Sequence, residues 1–112
     1  MRALKLPVTF WIIFLFTASW LAFAAGDPQK GRAFFCDKAF AGAPGERSCN
    51  SCHVNGKGLE EAWHRIGWTI MGKRYKHLED AVNHMIEIGL RGKAINPLSE
   101  EMTHIVAYIK SL

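Results

Sequence analysis

The chain has 112 residues, a formal net charge of +4, 21% charged residues and three cysteines. This length allows one small domain rather than several. The positive excess is weak, and setting aside Arg2 and Lys5 lowers it to about +2, which gives no case for a nucleic-acid partner.

The N-terminus bears on the compartment. Arg2 and Lys5 are followed by an uncharged apolar run from Val8 to Phe16, and the segment closes on Ala22-Phe23-Ala24. A basic start, an apolar middle and an A-x-A end predict a secretory signal peptide, cleaved after Ala24. Residues 1–24 are then the leader and 25–112 the mature domain. If the leader stays uncleaved, the uncharged stretch Pro7 to Gly26 could anchor the chain, at roughly 20 residues for one bilayer crossing. Either way the domain is expected outside the cytoplasm, in the periplasm or its equivalent.

Asp27-Pro28 supplies an N-cap and a proline at the first helical position, which predicts a helix to about Phe35. Ala41-Gly42-Ala43-Pro44-Gly45 breaks that pattern, so residues 37–48 read as a loop. Next comes Cys49-Asn50-Ser51-Cys52-His53, the C-x-x-C-H spacing of covalent haem attachment. Two thiols three positions apart can form thioethers to the vinyl groups on one edge of a porphyrin. The adjacent imidazole then reaches the iron. One covalently bound haem c is therefore predicted, held by Cys49 and Cys52 with His53 as an iron ligand. A dithiol redox site would call for a βαβ setting, and a zinc site for a second ligand pair of matching spacing. Neither is present in the sequence.

Asn55-Gly56-Lys57-Gly58 reads as a turn, residues 59–66 as a short helix and residues 67–76 as irregular. Within the last, Lys73-Arg74-Lys76 is either a solvated loop or a docking patch for an acidic redox partner. Leu78, Ala81, Val82, Met85, Ile86 and Ile88 recur at helical spacing and predict an amphipathic helix ending near Gly89. After a loop over 91–97, Ser99 caps the last helix, with Glu100 and Glu101 in its first turn. Met102, Ile105, Val106, Ile109 and Leu112 form its apolar stripe. The predicted fold is all-α, with three to four helices around one haem. A domain this small needs a staple, and a covalent macrocycle can supply one.

On these residues the mature chain resembles the class I monohaem cytochromes c over nearly its whole length. In that family an N-terminal helix with a glycine, and an aromatic four residues on, crosses a C-terminal helix bearing an aliphatic and an aromatic residue three apart. Gly31 and Phe35 match the first pair, Ile105 and Tyr108 the second. The resemblance implies an electron-transfer protein that cycles between ferric and ferrous iron with no substrate chemistry of its own. Phe34, Phe35, Trp63, Trp68 and Tyr108 are expected to exclude water from the haem, and redox proteins are the expected partners.

The sixth iron ligand is less plain. In the family the distal methionine lies just before the C-terminal helix, but Gly92-Lys93-Ala94-Ile95-Asn96-Pro97 holds none. A narrower stretch, Leu78 to Met85 with Gly92-Lys93, Ser99, Glu101-Met102 and Ala107-Tyr108-Ile109, is similar to haem domains of thiosulfate dehydrogenases and related sulfur-oxidising cytochromes. There a cysteine two residues after the asparagine binds iron, and this chain has Met85 at that place. The resemblance implies His53 and Met85 as axial ligands, although Met85 also falls on a core stripe that methionine fills well. Met71, one of His64, His77, His84 and His104, and Cys36 are the other candidates, while Met102 reads as structural.

Cys36 is the odd cysteine of an exported chain: a buried inert thiol, a link to a second copy or another subunit, or a thiolate ligand. Thiolate ligation would suit the alternative function, a small protein binding nitric oxide or carbon monoxide. A third reading is the haem subunit of a larger oxidoreductase.

Overall fold

The computed structural model describes residues 26–112, and the expected leader, 1–24, lies outside them. Helix α1 spans Pro28–Phe35, α2 Cys49–Cys52, α3 Leu78–Met85 and α4 Glu100–Lys110. Strands β1, Trp68–Ile70, and β2, Lys73–Tyr75, form an antiparallel pair between α2 and α3. The fold is thus mostly helical, and the all-α expectation is corrected by this hairpin.

Helix α1 starts as its first residues dictate. Asp27 Oδ1 accepts the Gln29 N–H at 2.8 Å, and Pro28 occupies the first turn, where no N–H is needed. The helix then crosses α4. At Gly31 a β-carbon would overlap the His104 carbonyl oxygen and stand 2.8 Å from Tyr108 Cβ. Only glycine lets the two backbones come that close. Phe35 packs on Tyr108 with ring centroids 5.0 Å apart, and both are buried. Of the predicted crossing residues, Tyr108 meets Gly31 directly, and Ile105 is turned into the core at 1% exposure. His104 adds a polar tie. Its Nδ1 accepts the Asp27 N–H at 2.8 Å, so Nε2 carries the proton and donates to Glu100 at 3.3 Å.

Helix α4 begins at Ser99, whose hydroxyl accepts the Met102 N–H at 3.3 Å. Its stripe of Met102, Ile105, Val106 and Ile109 is buried. With Phe40, Ala62, Ile86 and Leu90, the inner residues Ile105 and Ile109 form the core.

Two stretches between the helices depart from expectation. The helix predicted over 59–66 is a succession of tight turns, of which only Ala62–His64 is a 3₁₀ turn. The Ala62 carbonyl takes both the Arg65 N–H, at 3.3 Å, and the Trp68 indole N–H, at 2.9 Å. An α-helix would need that carbonyl for residue 66. Residues 67–76, expected to be irregular, make the hairpin, with Trp68 opposite Tyr75 and Ile70 opposite Lys73. Its two turn residues, Met71 and Gly72, have φ of 50° and 83°, the doubly positive pair that matches strand twist.

Helix α3 ends earlier than predicted and continues as a π-helical turn, Ile86–Leu90, closed by Arg91 in the left-handed region. The wider turn buries both Ile86 and Leu90. The following loop is pinned by Asn83. Its amide donates to the Ile95 carbonyl at 2.7 Å and accepts the Ile95 N–H at 2.9 Å. No helix among the described residues is long and apolar enough to cross a membrane.

Candidate functional site

A cavity of about 340 Å³ opens between α2, the hairpin, α3 and α4. Its walls are mainly apolar: Phe35, Leu59, Trp68, Ile70, Leu78, Val82, Leu90, Ile105 and Ile109. Into this lining the chain sets Cys49, Cys52, His53 and Met85. The four residues predicted to hold the haem, from two separate elements, therefore share one cavity.

Each is placed by local structure. Ser48 and Ser51 cap α2 reciprocally, the Ser48 N–H donating to Ser51 Oγ at 3.0 Å, so a four-residue helix can start at Cys49. One helical turn separates Cys49 from Cys52 and puts both on the cavity side. His53 follows at the C-cap, half-buried, with Nδ1 3.1 Å from the Lys57 carbonyl oxygen. A carbonyl only accepts, so in the neutral ring Nδ1 carries the proton and Nε2 keeps a bare lone pair. Met85 ends α3 at 37% exposure, and its methyl lies beside Gly89, where a β-carbon would stand 3.7 Å away.

Burial sets the thiol chemistry. Desolvation pushes the Cys49 thiol up to about 11, and the neighbouring Cys36 and Cys52 add to the rise. Such a thiol is almost wholly protonated at neutral pH and is a poor nucleophile for disulfide exchange.

The other candidate ligands lie elsewhere. Met71 is at the hairpin tip, 82% exposed, and Met102 is wholly buried in α4. His64 is exposed and lies tilted against Trp63, whose own 42% exposure corrects the expectation that Trp63 shields the site. His77 precedes α3, exposed; His84 is hydrogen-bonded to the Tyr75 hydroxyl; His104 is held by Asp27 and Glu100. Cys36 is exposed at the end of α1, which corrects its reading as a buried thiol. None of these seven side chains lines the cavity. Of the remaining aromatics, Phe35 and Trp68 line it, Tyr108 backs Phe35, and Phe34 leans on Phe40 with centroids 5.2 Å apart. The basic cluster is divided: Lys73 and Arg74 are on β2 and exposed, and Lys76 follows it.

Three features were not read from the sequence. Arg65 is the one Lys or Arg side chain on the cavity wall, and among the described residues it has no carboxylate within 4 Å. The strand that sets Trp68, Thr69 and Ile70 on the cavity wall was hidden in a run of only three residues. Asn50 holds the Asn55 N–H at 2.8 Å, a contact that spacing alone does not signal. Among the described residues no group of three or more His, Cys, Asp or Glu is arranged to hold a metal ion. No protein-family model, curated protein or solved structure matches the chain.

Proposed function

We propose that the chain is an exported electron-transfer protein of the c-type cytochrome class, with one haem bound through Cys49 and Cys52 and the iron held by His53 and Met85. The observation that carries this reading is the convergence of those four side chains on one largely apolar cavity. The residues present fit the group chemically. A macrocycle asks for an apolar slot, two thiols on one edge, an imidazole nitrogen free to bind iron and a soft donor from another element. Cys49, Cys52, the bare Nε2 of His53 and the Met85 thioether answer to these. Arg65 adds a cation to the wall, suited to the carboxylates such a ring carries.

A bound haem supplies one-electron chemistry between ferric and ferrous iron. The chain's part is to hold and to shield. Donation from His53 Nδ1 to the Lys57 carbonyl fixes the ring plane and raises the basicity of Nε2. Phe35, Trp68 and Ile105 keep water from the cavity, which limits reorganisation when the charge changes. A thioether from Met85 favours the reduced state relative to a harder ligand, as electron transfer at raised potential requires. Electrons pass to and from redox partner proteins without bonds being made or broken.

Two features motivate a gas-binding protein, the loop methionine that is missing and the spare Cys36; the second has less support, because Cys36 is exposed and does not line the cavity. The test is an optical spectrum of the exported protein and of Met85→Ala. Haem should stay on the polypeptide under denaturing conditions. The ferric wild type should show a weak far-red charge-transfer band that Met85→Ala loses. Haem lost on denaturation would sink covalent attachment, and a spectrum indifferent to Met85→Ala would sink its ligation.

A further inference from the structure

Residues 53–58 run as linked tight turns that return the chain to His53. The Gly56 N–H donates to the His53 carbonyl at 2.8 Å, and the Lys57 N–H to the Val54 carbonyl at 3.0 Å. Between them Asn55 sits in the left-handed region, at φ of 53°. Its N–H takes a side-chain partner. The partner comes from inside the C-x-x-C span: Asn50 Oδ1 accepts the Asn55 N–H at 2.8 Å. The Asn55 side chain faces the other way and accepts from Arg32 of α1 at 3.4 Å. One half-buried amide thus ties the start of α2 to the middle of the turn that ends with the Lys57 carbonyl on His53 Nδ1, at 3.1 Å.

We propose that Asn50 is a positioning residue for His53: by holding the Asn55 N–H it aims the Lys57 carbonyl at His53 Nδ1 and so sets the basicity of the other ring nitrogen, Nε2. Asn50 touches neither the ring nor the Lys57 carbonyl. Without it the turn keeps its two short backbone bonds but loses the tie that fixes its tilt. Donation from Nδ1 then weakens, and Nε2 becomes a poorer electron donor. The consequence for an iron centre rests on the haem reading above; the tie itself does not.

Three full-length variants test this. Asn50→Ala removes the acceptor, Asn50→Asp keeps an oxygen at that place, and Asn55→Gly keeps the left-handed backbone while releasing only Arg32. Hydrogen exchange at the Asn55 amide should quicken about tenfold in Asn50→Ala, the worth of one hydrogen bond, and stay slow in Asn50→Asp and Asn55→Gly. The His53 Nδ1 proton should also exchange faster in Asn50→Ala. The midpoint potential should rise there, because a weaker donor favours ferrous iron, and should hold in Asn55→Gly. Unchanged Asn55 exchange in Asn50→Ala overturns the tie. Faster Asn55 exchange with an unmoved Nδ1 proton and potential overturns the positioning role. If the wild type carries no haem, that reading fails by itself. The ¹⁵N shifts of His53 then decide the present proposal, which requires an Nδ1–H ring in the wild type and a tautomer mixture in Asn50→Ala.

Discussion

At the Cys49 thiol, burial and chemistry are coupled in a way that pH can read. In the chain with a free Cys49 thiol, the folded state keeps this proton until about pH 11, against an ordinary value of 9.0. Between those values the folded chain binds more protons than the unfolded one, so its stability falls as pH rises from about 9 to about 11. The loss should approach about 2 kcal/mol and should be absent below pH 9. Urea unfolding of the unattached chain at pH 8 and pH 11, beside Cys49→Ala, measures it. An equal loss in Cys49→Ala would assign the effect to other groups. A sulfur held in the proposed thioether would have no proton to lose, so attachment would remove the dependence. His53 makes a related point about what a sequence carries. Its place in C-x-x-C-H was legible because chemistry fixes that spacing. The carbonyl that orients it was not, since Lys57 acts through its backbone and any side chain would serve.

At the scale of elements, the crossing of α1 and α4 was legible because close packing leaves a residue-type trace. Gly31 lies where the His104 carbonyl admits no β-carbon. Gly31→Ala therefore sets two effects against each other. Alanine gains about 1 kcal/mol of helix propensity over glycine. Overpacking costs about 1–3 kcal/mol, toward the upper end here because the opposing atom is backbone and cannot rotate away. Packing wins, and the variant should lose about 2 kcal/mol in chemical denaturation. Stability equal to the wild type would refute the close approach. The hairpin left a fainter trace. Strands of three residues give period two no room to declare itself, and Met71-Gly72 is not the Asn-Gly pair that marks such turns. An isolated hairpin is marginal in water, so this one depends on α3, where Tyr75 meets His84 edge-on with centroids 5.3 Å apart. That dependence is tertiary, and the local sequence does not contain it. The π-helical turn after Met85 is similar: Ile86 and Leu90 fit a helical rhythm, and only the need to bury both widens the last turn.

For the whole molecule, the apolar walls of the cavity pose an energetic problem that a bound macrocycle of the proposed kind would solve. The described domain is short, and domains of this size bury too little surface for more than a few kcal/mol of stability. Here Leu90, Ile105 and Ile109 serve the core and the cavity wall at once, so the core is divided around an opening of about 340 Å³. Water in such a space gains few hydrogen bonds from apolar walls, and their dispersion contacts go unmade. A group covalently attached there would be present in the unfolded chain too, but would be buried only in the folded one. Its apolar area then counts toward folding at about 25 cal/mol per Å². A chain with Cys49→Ala and Cys52→Ala together should therefore be far less stable than the attached form, by several kcal/mol. It should also melt with reduced cooperativity and bind hydrophobic dyes. Circular dichroism and calorimetry on the two forms decide this. Equal melting temperatures would mean that α1, α4 and the Asn83 pin hold the fold unaided, and that the cavity is a preformed pocket whose occupant adds nothing to stability. A large gap would mean that cofactor attachment completes the core and is part of folding, with the hairpin and α3 closing only when there is something to close on.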